Sequence, residues 1–225
     1  KGNKMKILSN GDVLFEGVKA LYPRINRTYK FDSVDNKTVP CDAMDDGAAY
    51  ETSFELTKAE AIEMHKQCMA VFKEAASTDT KRKWKDKPQY LPYREPAADD
   101  QPFVGKAKLK GAYGNEKTKP PLQKDAEKNA LPDGFQLTSG STVNVWGKLF
   151  AYNTGAVSGV SLRLKGVQVL ELMEREGGDD PFSATTGFSA AKASSEVSYA
   201  SGAPIPKREE TLSKSASDFD DEIPF

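Results

Sequence analysis

The sequence predicts a mainly β protein: a five-stranded Greek-key barrel with one prominent α-helix and long loops, followed by an acidic C-terminal tail. Three observations carry that expectation. Five segments are rich in β-branched and aromatic residues. One further segment repeats its apolar residues at helical spacing. After residue 176 the texture changes, and large aliphatic residues become scarce. With 225 residues, 38% hydrophobic and 29% charged, the chain is long enough for one large domain, or a medium one with a tail.

Val13 to Ile25 reads as the first strand, ending near Pro23, and Tyr50 to Leu56 as the second. Thr57-Lys58-Ala59-Glu60 is a capping box, with a hydroxyl at the N-cap and a carboxylate three residues on. Behind it Ala61, Met64, Cys68, Val71, Phe72 and Ala75 form an apolar stripe, so a helix runs to about Ala76. Pro102 to Tyr113 is the third strand; Ser141 to Tyr152 and Gly159 to Met173 are the two longest. Between the last two, Asn153 to Gly159 is turn-rich, which predicts a hairpin. Thr78 to Pro102 and Asn115 to Pro132 read as loops. Five strands with a helix packed across one end suit the OB-fold. A β-sandwich leaves similar periodicity.

The expected organisation is a barrel domain at 1–176, a low-complexity linker at 177–217 and an acidic tip at 218–225. The linker is dominated by Ser, Ala, Thr, Gly and Pro and has too little apolar surface to offset its ordering entropy. As a flexible coil it would reach roughly 35 Å. The net charge of −1 conceals an asymmetry: residues 1–172 carry 27 Lys and Arg against 22 Asp and Glu, whereas 173–225 carry 5 against 11. A basic body joined to an acidic end points to a polyanionic partner for the body.

No run of 18 apolar residues exists, so no helical membrane span is expected. No apolar stretch follows Lys1 to Lys6, so no export signal is expected, and Cys41 and Cys68 read as reduced thiols. Catalysis finds little support. His65 is the only histidine, and His65, Cys68 and Cys41 cannot complete a four-ligand zinc site. The acid pairs Asp45-Asp46 and Asp99-Asp100, with Asp42, could hold Mg²⁺ in principle but sit in loop-like, polar surroundings. No enzyme activity, cofactor or metal is expected.

Several features suit a nucleic acid. Lys106, Lys108 and Lys110 are two residues apart on a strand and so share one face, with Ala107 and Leu109 opposite. Arg163 and Lys165 repeat the arrangement against Leu162 and Leu164. A polyanion would relieve the repulsion between such cations and release counterions; the alternative is a solvated strand face. In Ser141 to Tyr152, the residues Trp146, Lys148, Phe150 and Tyr152 share a face, an arrangement suited to stacking bases around an ammonium. The same rings could instead be a second core layer. The loop from Lys81 to Lys87 places five cations around Trp84. Trp84 could stack on a base with Lys83 and Lys85 on phosphates, or pin the loop to the barrel.

The chain ends in Asp218-Phe219-Asp220-Asp221-Glu222-Ile223-Pro224-Phe225. Ile223 and Phe225 suit an apolar pocket, Pro224 limits the conformations lost on binding, and Asp218, Asp220, Asp221 and Glu222 suit a basic rim. Asp221 to Phe225 resembles the extreme C-terminal peptide of bacterial single-stranded DNA-binding proteins. The body resembles the single-stranded DNA-binding proteins of tailed bacteriophages, on Ala20-Leu21-Tyr22-Pro23, the run from Gly147 to Asn153 and the strand from Leu162 to Leu172. Body length and the Thr57–Ala76 helix depart from the bacterial proteins, so their tetrameric assembly is not carried over. The resemblance implies an OB-fold that binds single-stranded DNA in phage replication, recombination or repair, in the cytoplasm of an infected bacterial host. It also implies a tail that recruits replication and repair proteins and competes with DNA for the basic groove. A tail packed in a neighbour's groove would give a homodimer. The rival reading is an adaptor or decoy that displays the Ile-Pro-Phe tip without binding DNA.

Overall fold

The computed structural model of the chain describes residues 4–98 and 100–174. The linker, the tip with its seven candidate partner-binding residues, and Asp99 lie outside the described residues. In chain order the elements are β1 (Lys4–Ile7), β2 (Val13–Asp32), β3 (Lys37–Pro40), β4 (Ala49–Leu56), α1 (Lys58–Thr78), β5 (Tyr93–Arg94), β6 (Phe103–Lys110), β7 (Ala112–Tyr113), β8 (Glu116–Lys117), β9 (Leu122–Lys124), β10 (Thr142–Asn153) and β11 (Ser158–Glu171).

Five strands close on themselves in the order β2, β4, β6, β11, β10 and back to β2. Every pairing in the ring is antiparallel except β6 with β11. This is the five-stranded barrel of the OB-fold. β1 and β3 extend β2, β5 lies on the early part of β6, and β9 lies parallel to β11.

Period-two alternation fills the barrel. Phe15, Phe54, Leu56, Val143, Val145, Leu162 and Leu164 point inward and are fully buried, each worth about 1.5–3 kcal/mol of transfer free energy. The Phe15 and Phe54 rings pack at 4.8 Å between centroids. α1 adds Ala61, Met64, Cys68 and Phe72 to this core. Its capping box forms as expected: Thr57 Oγ1 accepts from Glu60 N, and Glu60 Oε2 accepts from Thr57 N.

Two strand ends differ from expectation. The first strand runs on past Pro23 to Asp32 because Tyr22 and Pro23 occupy a bulge between Leu21 and Arg24, where the missing proline N–H breaks no ladder bond. The third strand breaks at Gly111, where a Cβ would stand 2.5 Å from the Ala43 carbonyl oxygen. β5, β8 and β9 fall in stretches read as loops; at two or three residues each they are too short for alternation to register. No helix among the described residues is long and apolar enough to cross a membrane.

Candidate nucleic-acid interface

The ladder registers set a row of side chains around the outside of the barrel. Arg24 on β2 pairs with Glu51 on β4, Glu51 with Lys108 on β6, Lys108 with Arg163 on β11, and Arg163 with Lys148 on β10. Laterally paired residues lie on one face, with strands about 4.8 Å apart. Lys106 and Lys110 flank Lys108, and all three are exposed while Gly105, Ala107 and Leu109 are buried. Lys108, Lys110, Lys148 and Arg163 make no ion pair among the described residues. Lys106 does, with Glu51 at 2.9 Å.

Arg163 organises two rings. Its guanidinium carbon is 5.0 Å from the Phe150 ring centroid and 5.3 Å from that of Tyr113. Phe150 is 49% exposed and Tyr113 46%, so each ring keeps accessible surface. Phe150 comes from β10, and Tyr113 from the β7–β8 hairpin, whose register places Gly114 and Asn115 in a two-residue turn. Gly114 has φ +60, which glycine adopts without steric cost. Two exposed rings bracketing a cation, beside Lys108 and Lys148, can stack unpaired bases and hold their phosphates.

Trp146 and Lys165 both have a partner within the fold. Asp12 is fully buried; its carboxylate accepts from Trp146 Nε1 at 2.9 Å and from Lys165 Nζ at 2.7 Å. The Lys165 ammonium also lies 5.1 Å from the Trp146 ring centroid. Burial alone would raise the Asp12 pKa, but the Lys165 and Trp146 hydrogen bonds, the Lys165 charge and Asn10 hold it below the usual carboxylate range. Lys165 is therefore ion-paired within the fold. The half-buried Trp146 ring lines a separate cavity of about 310 Å³ with Leu8, Leu14 and Leu122.

Trp84 is held against the C-terminal part of α1. Its ring packs edge-on against Phe72 at 5.1 Å, and Nε1 donates to Asp79 Oδ2 at 3.3 Å. Lys83 and Lys85 are exposed. Arg82 Nη1 donates to the Asn153 carbonyl, and Asn153 Nδ2 to the Lys83 carbonyl, so this loop is tied to the β10 end that carries Tyr152. Tyr152 is half-buried, and its hydroxyl lies beside Gly159. Desolvation, with a smaller contribution from Tyr90, raises its pKa, which keeps the phenol neutral.

Beyond Glu51 lies a groove of about 520 Å³ bordered by Tyr22, Arg24, Glu51, Ser53, Tyr93 and Lys106. Glu51 Oε1 accepts from Arg24 Nη1 at 3.1 Å. Burial would raise its pKa, but the Lys106 hydrogen bond and the charges of Lys106, Lys108 and Arg24 outweigh that and hold the carboxyl low. Tyr22, Arg24, Glu51, Tyr93 and Tyr113 were absent from the sequence-based set. For Tyr113 a signal existed, since Gly-Asn is a hairpin turn pair. Arg24 and Glu51 join the row only through a register that the Tyr22–Pro23 bulge sets.

Among the described residues no group of three or more acids, histidines or cysteines could hold a metal ion; Asp42 accepts from Lys117 at 2.9 Å and Asp45 from Lys30 at 2.8 Å. His65 is exposed, with Nδ1 2.8 Å from the Tyr93 hydroxyl, whereas Cys68 is buried and desolvation pushes its thiol up to about 12.

The fold and site thus define an OB barrel with a cation- and ring-bearing outer face. No family model matches the chain, and no curated protein matches it by sequence. Solved structures do match by fold. A single-stranded DNA-binding protein from bacteriophage Enc34 aligns with a TM-score of 0.56 at 13% identity, covering 81% of this chain and 93% of that one. The same phage protein in complex with single-stranded DNA aligns at 0.57 and 14% identity, covering 79% and 96%. Its C-terminal truncation aligns at 0.55 and 15%, covering 77% and 93%.

Proposed function

We propose that this chain binds single-stranded DNA with broad sequence tolerance, coating exposed strands during phage DNA replication, recombination or repair in the cytoplasm of the infected host. The observation that carries the reading is the outward row of Lys108, Arg163 and Lys148 with the Phe150 and Tyr113 rings bracketing Arg163. Every base has a ring face to stack and every nucleotide a phosphate, so tolerance follows. Preference for single strands follows because stacking on a side chain needs an unpaired base. The fold likeness to a phage protein solved with single-stranded DNA supports the reading.

The C-terminal tip completes the proposal. Ile223, Pro224 and Phe225 engage replication and repair proteins, while Asp218, Asp220, Asp221 and Glu222 act as a built-in polyanion competing with DNA for the barrel. DNA binding then frees the tip for partners.

Anisotropy of labelled oligo-dT tests both parts, with duplex as competitor. Four outward cations without ion pairs among the described residues predict that log Kobs falls with log[salt] at a slope of about −3, at roughly −0.7 per phosphate. Removing residues 218–225 should tighten binding, most clearly at low salt. Failure to bind oligo-dT at low salt overturns the reading in favour of an adaptor; unchanged affinity on truncation overturns only the competition.

A further inference from the structure

Glu51 is an anion in the middle of a row of cations, which is adverse if the row only holds phosphates. Its side chain is 20% exposed and borders the 520 Å³ groove. One oxygen accepts from Arg24 and the other from Lys106. A carboxylate offers about four lone-pair sites, so each oxygen keeps acceptor capacity beyond these bonds. Holding Arg24 and Lys106 in place does not by itself require an acid at the edge of an open groove.

The groove is also built. Tyr22 is 70% exposed at φ +48, a region where a bulky non-glycine residue is strained. The bulge and the bond from Tyr22 N to Ser139 Oγ at 2.7 Å hold it there. Tyr93, on β5, is steadied through its hydroxyl by His65 Nδ1. The groove therefore has an aromatic ring on each of two walls and a charged acceptor between them.

We infer that this groove takes one unpaired base and that the Glu51 carboxylate accepts a hydrogen bond from the base's exocyclic amino group, favouring cytosine over thymine at that position. The inference rests on the single-strand reading of the barrel. Cytosine offers an N4 amino donor where thymine offers the O4 acceptor, and an acceptor set against a carboxylate is repelled and left unsatisfied. A base on this side and the rings around Arg163 on the other would place the strand's phosphates over Lys108. The remaining contacts stay sequence-tolerant, so the bias is confined to one nucleotide.

The test compares oligo-dC, oligo-dT and an equal-length oligonucleotide of 2-pyrimidinone, which is cytosine without its amino group, on the full chain above pH 7.5. The native chain should hold oligo-dC roughly five- to tenfold tighter than oligo-dT, the low end of discrimination by a base-edge contact. The 2-pyrimidinone strand should fall with oligo-dT, a readout that needs no variant. Glu51→Gln should bring dC and dT together. Equal native affinities for dC and dT, with binding intact, overturn the inference and leave the single-strand reading standing. A Glu51→Gln chain that shifts both by one common factor also overturns it, assigning Glu51 to positioning Arg24 and Lys106 alone. Loss of binding to every oligonucleotide by the native chain overturns the single-strand reading itself.

Discussion

Phe150→Ala separates the platform from the fold. The ring is 49% exposed, stands outside the barrel core, and has the Arg163 guanidinium carbon 5.0 Å from its centroid. Its removal leaves no buried cavity, so stability should move by no more than about 0.5 kcal/mol. Binding should move much further. One lost base–aromatic stack is worth about 1–3 kcal/mol, which is roughly a 5- to 150-fold rise in Kd. Tyr113→Ala should behave alike, since Tyr113 meets the same guanidinium at 5.3 Å. Because the two rings share Arg163, the double variant should fall short of the summed single losses, with a coupling on the order of 0.5 kcal/mol or more. Anisotropy of labelled oligo-dT at fixed salt, with urea denaturation of each variant, measures both quantities. Native affinity in Phe150→Ala refutes the platform, and an equal fall in stability and affinity shows that the ring serves the fold instead.

Two further predictions concern residues the fold has claimed. Trp84→Ala removes the ring packed on Phe72, and the urea midpoint should fall by the equivalent of about 2 kcal/mol while oligo-dT affinity holds; weakened binding at unchanged stability would return Trp84 to the interface. Asp12→Asn keeps the shape but removes the charge facing Lys165, which should cost about 2 kcal/mol at neutral pH. Because the folded-state pKa of Asp12 is depressed, its stabilisation is present above the unfolded value of about 3.9 and is lost as pH falls through the folded value. The stability gap between native and Asp12→Asn chains should therefore close toward acid pH, and a constant gap would deny the ion pair its role.

What the sequence made legible was whatever alternation and capping encode locally. The helix was readable because Thr57 and Glu60 form a reciprocal cap and the buried residues recur along one face. The outward lysines of β6 were readable because strand side chains alternate, whichever strand lies beside them. Facing alone, however, does not say whether an outward residue is free. Trp146 and Lys165 occupy the expected face, yet Asp12, far away in sequence, claims both. Phe150, by contrast, is left 49% exposed, with Arg163 5.0 Å from its ring centroid. Arg24 and Glu51 were invisible for the converse reason, since their alignment with Lys108 depends on a bulge at Tyr22–Pro23, where a proline suggested that the strand should end.

The outward row also depends on the smallest residues inside the barrel. A Cβ at Gly147 would stand 2.7 Å from the Arg163 carbonyl oxygen, and one at Gly105 2.7 Å from the Phe54 ring. Neither distance is tolerated, so these glycines are where β10 closes on β11 and β6 closes over the core. Gly147 lies immediately before Lys148, and Gly105 immediately before Lys106. The inward glycines thus set how closely the strands approach, and that approach sets the spacing of Lys148, Arg163 and Lys108. Interiors transmit strain because they are close-packed. A side chain forced in at Gly147 would displace β11 at Arg163, altering the binding face without changing any residue on it.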